Sequence, residues 1–354
     1  MRNNQLPAGH LLAVAIRQIS GLGAARRRFV NRRRTMTILD LHDADIDTDG
    51  DAVAAGDGGD GLFYEYSKAA DPIRPSLTPR VPYHVFPPSL YADGPTRIVP
   101  LDLSAELKTE GPATGPGLSA NFLRILGGDS LALDPAATSM VFYVLKGAGT
   151  AHQLSDRIAF AQGDFFTLPG TAEVTLTVTE DAALYYVNDA PLLRYLGVRP
   201  DRARFQPTIY KADRANAELA RVASDPAAAH RSRVSLLLGN TAFPLTRTVT
   251  HTLWAMYGTV GAGSVQKPHR HQSIALDLIV DCEPGVYTLV GRDLDAKGEI
   301  VKPVRVDWEP GCAFVTPPGY WHAHFNTSGR EARLIPIQDA GLQTYLRSLD
   351  IRFA

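Results

Sequence analysis

Three histidines in the second half of the chain have the spacing to share a metal ion. His269 and His271 stand two residues apart in Pro268-His269-Arg270-His271-Gln272-Ser273, and in a β-strand residues at i and i+2 face the same side. His322 follows on a later run, behind Pro317-Pro318-Gly319, a turn that fixes the backbone just ahead of it. Three neutral imidazoles suit Fe(II), Mn(II), Ni(II), Zn(II) or Cu(II) and leave coordination positions open for substrate. His324 alternates onto the face of His322 and is a candidate acid or base, or a hydrogen-bond partner of substrate. Gln272, beside the paired histidines, is a candidate for orienting a ligand or substrate. A carboxylate substrate calls for an arginine fork. Arg270 alternates outward, which leaves Arg124 and Arg333 as candidates that the sequence does not separate. His152, His230 and His251 have no motif around them and read as structural, and Asn326 reads as a turn tie.

Strands must carry these side chains, and the sequence supplies them in two series. Short apolar or alternating runs at 121–126, 140–145, 158–161, 165–168, 174–178 and 183–187 are separated by Gly, Pro or Asp turns, the rhythm of an antiparallel sandwich or barrel. Ala, Leu and Arg at helical spacing then predict a connecting helix over 211–224, with Asp213 as its N-cap. A second β series starts at Val234. The two series read as one unit used twice. Val141-Phe-Tyr-Val-Leu-Lys-Gly147, Gly163-Asp-Phe-Phe-Thr-Leu-Pro169 and Tyr186-Val-Asn-Asp-Ala190 answer Leu276-Asp-Leu-Ile-Val280, Gly311-Cys-Ala-Phe-Val-Thr-Pro317 and Ile337-Gln-Asp-Ala340. Asp189-Ala190 and Asp339-Ala340 each open a short apolar helix just after a last strand.

The histidine pair, joined to the run Gly311 to Asn326 with its Thr-Pro-Pro-Gly-Tyr-Trp-His-Ala-His-Phe-Asn ending, resembles the two motifs of the cupin superfamily. The wording is similar to that of gentisate 1,2-dioxygenase and its relatives acting on salicylate or hydroxynaphthoate. The resemblance covers roughly residues 97–353 and implies an all-β chain of two tandem cupin (double-stranded β-helix, jelly-roll) barrels with short flanking helices. It implies His269, His271 and His322 as the metal ligands, with the usual fourth, carboxylate position falling at Ala275. It favours Fe(II), with Mn, Ni, Zn and Cu left open, and cleavage by dioxygen of a small hydroxylated aromatic acid. Two other readings stay open: a metal-bound cupin that binds or senses a small ligand without turnover, and a non-oxidative isomerase or lyase using its metal as a Lewis acid. In that family the iron lies in the first barrel. Here the first barrel offers Asp134, Ala136 and Met140 where His, His and Glu would fall, and Gly170-Thr-Ala-Glu-Val174 where its second motif would supply a histidine. Metal is therefore expected in the second barrel only.

The remaining features bound the answer. A chain of 354 residues has room for two domains. The expected division is a disordered or upstream extension at 1–61, a degenerate first barrel with its arm at 62–199, a helical linker at 200–232 and a metal-binding barrel at 233–354. Within 1–35, six arginines follow a weak apolar segment without the order of a secretory signal, and Met36 is a more natural start. Residues 40–60 are rich in Asp and Gly, too polar to order themselves. A formal net charge of -1 gives no electrostatic reason to expect nucleic acid or an anionic membrane as partner. No apolar stretch approaches the roughly 20 residues of a membrane span. Cys282 and Cys312 alone, without a paired-cysteine motif, suit a reducing cytoplasm. Double cupins commonly pack as homo-oligomers, here a dimer or tetramer, and residues 63–97, rich in Pro and Tyr, are expected to form an arm over a neighbouring subunit.

Overall fold

The computed structural model describes Ala52–Ala55 and residues 58–74, 76–227, 231 and 233–354. Residues 1–51, which carry the arginine-rich segment and most of the expected disorder, lie outside the described residues, as does His230. Within the rest of that polar stretch, Ala52–Ala55 pairs antiparallel with Leu62–Tyr64, a hairpin in a small unit that ends at Glu65. Everything from Tyr66 onward forms the second unit.

That unit repeats one arrangement. In its first half, Ser119–Ile125, Ser139–Lys146, Phe165–Pro169 and Ala182–Asn188 form the centre of one sheet, with Arg97–Pro100 and Thr208–Tyr210 at its edges. Ser130–Leu133, Ala148–Gln153, Asp156–Ala161 and Val174–Val178 form a second sheet. In the second half, Trp254–Val260, Ala275–Asp281, Ala313–Thr316 and Ala332–Gln338 repeat the first sheet, edged by Val234–Leu238 and Val85–Phe86. Val265–His271, Val286–Gly291, Val304–Asp307 and Trp321–Asn326 repeat the second, with Ile351–Phe353 added beside Val265–His271. Every pairing is antiparallel, so each half is a jelly roll closed from two sheets.

Residues of Ala182–Asn188 show how the halves are held together. Leu184 and Tyr186 point into the first barrel, beside Phe142 and Phe166. Tyr185 and Val187 point the other way, into an apolar layer that also contains Leu276, Leu278 and Ile337 of the second barrel. The larger sheets therefore pack back to back, which buries both faces of their central strands and replaces simple alternation with continuous apolar runs. Each Phe or Leu so enclosed contributes on the order of 1.5–3 kcal/mol.

Local details depart from the sequence reading. The linker helix is Ala212–Ala223, with Lys211 at its N-cap position in extended backbone, and Asp213 lies in the first turn instead, where a carboxylate still favours the helix N-terminus. Strands Ser130–Leu133 and Ala148–Gln153 were not expected, because Ser, Gly, Ala and Gln carry little β-preference and their pairing is decided by neighbours. Two segments also cross the expected domain boundaries. Thr208–Tyr210, within the linker, pairs with Phe165–Pro169 of the first barrel. Val85–Phe86, within the expected arm, pairs with Ala313–Thr316 of the second barrel, while Tyr91 packs on Phe122 of the first. The arm is thus a stitch between the two barrels of its own chain. No helix among the described residues is long and apolar enough to cross a membrane.

Candidate metal centre

The strand Val265–His271 turns the side chains of His269 and His271 inward, and its antiparallel neighbour Trp321–Asn326 brings His322 directly opposite His269. The backbone fixes the third histidine relative to the other two. Gly319 has a positive φ of 76°, which only glycine adopts freely, and its N–H donates to the His271 carbonyl at 2.7 Å. The Pro-Pro-Gly turn is thereby tied to the strand that carries the first pair.

The potential ligand atoms of His269, His271 and His322 lie within 4.8 Å of one another. All three residues are at most 5% exposed. Their outward nitrogens are already engaged: His269 Nδ1 faces the Lys267 carbonyl at 3.3 Å, His271 Nδ1 the Ser273 carbonyl at 2.8 Å, and His322 Nδ1 the Tyr320 carbonyl at 3.1 Å. A carbonyl only accepts, so each Nδ1 carries the proton and each Nε2 presents a lone pair. The buried Nε2 of His271 has no hydrogen-bond partner. Burial also lowers the pKa of all three rings. His271 is pushed down to about 4, while His269 and His322 fall well below 6.5, with Arg233 adding to the shift at His269 and the other rings adding at His322. Neutral rings, an orphaned donor atom and protonated far nitrogens are what a metal site requires, so the residues fit a divalent ion.

His324 is equally buried, with ring centroids 5.8 Å from His322 and 6.0 Å from His269. It does not join the three-residue cluster. Its Nδ1 lies 2.8 Å from Thr288 Oγ1, which also accepts the Trp308 indole N–H at 2.8 Å, so the ring is held from behind at the edge of the site. Gln272 is turned elsewhere: its Oε1 accepts the Asp350 N–H at 2.9 Å and anchors the C-terminal strand Ile351–Phe353. That strand pairs with Val265–His271 and lays the Phe353 ring over His269, with centroids 5.9 Å apart and an interplanar angle of 21°.

Two charged residues that the sequence reading passed over complete the site. Arg233, just before the strand Val234–Leu238, sets its Nη2 2.6 Å from His269 Nε2, so the guanidinium donates to the lone pair that would face an ion. Asp277 is 3% exposed and accepts from Thr316 Oγ1 at 2.7 Å. Burial raises its carboxyl to about 6, with Thr316 and the charge of Arg233 working in the opposite direction. It lies two residues beyond Ala275 on the same inward face, so the carboxylate is displaced along the strand from the usual ligand position. No sequence signal marks Arg233, since no motif surrounds it. Asp277 was visible as an acid inside the apolar run 276–280.

The other arginine candidates are committed elsewhere. Arg124 donates to the Gly94, Tyr91 and Ala92 carbonyls, and Arg333 to Asn216 Oδ1 and Tyr257 Oη. Arg270 lies over the Trp321 ring at 5.2 Å. His251 packs at a tilt against Phe205 and Phe243, His152 reaches Thr177, and Asn326 ties its turn through Val260, Ser328 and Arg330. In the first barrel, Met140 is fully buried among Phe142, Phe166 and Leu168, Asp134 is exposed, and Ala136 is half-buried.

Two jelly-roll barrels in tandem, the second with inward histidines on paired strands, define the double-cupin fold. No family model matches the chain, and no curated protein matches it in sequence. Solved structures that it is similar to include the salicylate 1,2-dioxygenase of Pseudaminobacter salicylatoxidans, at 14% identity and a TM-score of 0.61, covering 77% of this chain and 88% of that one. The gentisate adduct of that enzyme gives 14% identity and a TM-score of 0.62 over 81% and 89% of the two chains. A single-residue variant in complex with gentisate gives 15% and 0.59 over 78% and 88%. At such identity the likeness establishes the fold.

Proposed function

We propose that this chain is a metal-dependent dioxygenase, with Fe(II) held by His269, His271 and His322, that cleaves a small hydroxylated aromatic acid. The observation that carries the reading is the convergence of three buried, neutral imidazoles with their Nε2 atoms free of protons. When bound, the ion supplies a Lewis-acidic, redox-active centre at which an acid and dioxygen can meet.

The charge balance around the histidines selects an anionic substrate. A divalent ion held by neutral ligands keeps its full charge, Arg233 adds another, and Asp277 offsets one of the three. The centre therefore favours a ligand bringing two negative oxygens, such as a carboxylate beside a phenol. Arg233 is placed to take the carboxylate in a charge-assisted pair once His269 Nε2 is engaged by the ion. Asp277 holds no position among the ligand atoms and acts as the buried counter-charge of Arg233. His324, held through Thr288, is our candidate for holding or moving a proton at the substrate, and Trp308 and the buried strands exclude water. The structurally similar enzyme bound to gentisate supports the substrate class.

Metal analysis of freshly purified protein, followed by oxygen-electrode assays with gentisate and salicylate, tests the proposal. One iron per chain and oxygen uptake that is lost on His269→Ala are expected. Tight acid binding with no oxygen consumed would select a binding or sensing cupin, and turnover that persists without oxygen would select an isomerase or lyase.

A further inference from the structure

A cavity of about 770 Å³ opens at one end of the first barrel, in the half that lacks the histidines. It lies at the end of Ser130–Leu133 and is walled by Ser119, Asn121, Tyr186 and Asn188 from the adjoining strands Ser119–Ile125 and Ala182–Asn188. These strands occupy the places that Trp254–Val260 and Ala332–Gln338 take in the second barrel. The cavity thus lies at the end of the strand that corresponds to the histidine-bearing Val265–His271.

Its polar lining is built and buried. Tyr186 is 3% exposed, yet its hydroxyl makes no hydrogen bond of ordinary geometry, with the Asn188 side chain beside it. A hydroxyl withdrawn from water without a partner costs on the order of 1–3 kcal/mol, so an arrangement of this kind calls for a ligand. Burial pushes the phenol far up, so it remains a neutral donor at all physiological pH. Asn188 Oδ1 already accepts the Ala190 N–H, which leaves its amide N–H₂ as a further donor beside the Tyr186 hydroxyl. Asn121 Nδ2 makes two long contacts, 3.3 Å to Ser119 Oγ and 3.4 Å to the Tyr186 carbonyl, both of which a ligand oxygen could better. At the rim stands Arg199, exposed and with no protein acceptor among the described residues. Leu133 and Ile98 supply apolar wall.

We propose that this cavity is a second, metal-free ligand site that takes a small organic carboxylate, its oxygens on Tyr186, Asn121 and Asn188 and its apolar body against Leu133 and Ile98. Two guanidinium groups, Arg194 and Arg199, stand against one carboxylate, Asp134, around the cavity, so its charge favours an anion. The site does not use the histidine cluster and stands apart from the reading of that centre.

Benzoate is the probe. Calorimetric titration of the wild-type protein is compared with Tyr186→Phe, which removes one oxygen, and Ala136→Trp, which fills the opening from its half-buried rim. Crystals soaked with benzoate locate the binding. Binding is expected in the first barrel, weakened about tenfold by Tyr186→Phe and abolished by Ala136→Trp, with metal content and melting temperature retained in the second variant. Absence of wild-type binding at millimolar benzoate, binding that neither substitution alters, or density confined to the second barrel would each overturn the proposal.

Discussion

Arg233 Nη2 sits 2.6 Å from His269 Nε2, so the same imidazole lone pair serves a guanidinium here and would serve a metal ion when one is bound. The two roles exclude each other, since one lone pair cannot accept a proton donor and bind a cation at once. Arg233 would therefore compete with an ion before loading and, under the proposed function, be released to pair with the acid after it.

Arg233→Gln should separate those effects. Removing a positive charge beside the ion strengthens metal binding by at least about tenfold, because like charges at this range interact by several kcal/mol even at an effective dielectric near 20. The same change should raise the KM for the acid by roughly two orders of magnitude, in line with the loss of a charge-assisted pair. Competition titration with a fluorescent chelator and steady-state kinetics measure the two. A variant that binds metal more weakly would remove Arg233 from this role.

The pH dependence of metal binding follows from burial. An imidazole with its ordinary value near 6.5 must shed protons to bind metal at that pH, and three of them would release roughly 1.5. Here the folded-state values are lowered, to about 4 at His271 and well below 6.5 at His269 and His322. Protons then compete only as pH falls through the lowered values. Metal affinity should be flat between pH 7.5 and 6, and titration in two buffers of different ionisation enthalpy should find almost no proton release from these rings at pH 6.5.

The C-terminal strand should govern exchange of the ion. Ile351–Phe353 pairs with the histidine strand, Ala354 N–H donates to the Pro268 carbonyl, and Phe353 covers His269. Deleting residues 351–354 should speed iron loss to excess chelator by about tenfold or more. The tail residues are largely exposed, so the melting temperature should move little. Unchanged chelation kinetics would show that the ion leaves by another route.

Asp189 offers a test of how the halves are joined. Fully buried, it accepts from the Thr138 and Ser139 N–H groups and the Thr138 hydroxyl of its own barrel, and from the Thr252 hydroxyl ahead of the second barrel's first inner strand. Asp189→Ala leaves two buried backbone donors unmatched and should cost about 3–5 kcal/mol by urea denaturation, while Asp189→Asn should cost less. A loss under about 1 kcal/mol would mean that water replaces the carboxylate.

The sequence made the three-histidine cluster legible because HxH and the Pro-Pro-Gly-bounded histidine are local patterns whose geometry follows from strand alternation and one turn. The tandem barrels were legible through the repeat of Asp189-Ala190 in Asp339-Ala340. Arg233 was not, since it reaches a histidine 36 residues away through the pairing of Val234–Leu238 with Trp254–Val260, and nothing at position 233 announces it. Gln272 was read toward the chemistry because it adjoins His271, but only the fold shows the terminal strand that it holds. Short edge strands such as Val85–Phe86 carry too few residues for any periodicity, and their partners are set by the assembled sheets.

The placement of Val85–Phe86 means that the gene cannot be cut cleanly into two barrels. Expressed from residue 233 onward, the histidine-bearing half would lose an outer strand and the Tyr91 hydroxyl that caps the Gly311 carbonyl, and would expose the apolar slab that normally meets its sister. Such a fragment is expected to clump by itself, yet to recover a soluble, metal-binding state when mixed with the separately produced remainder of the chain.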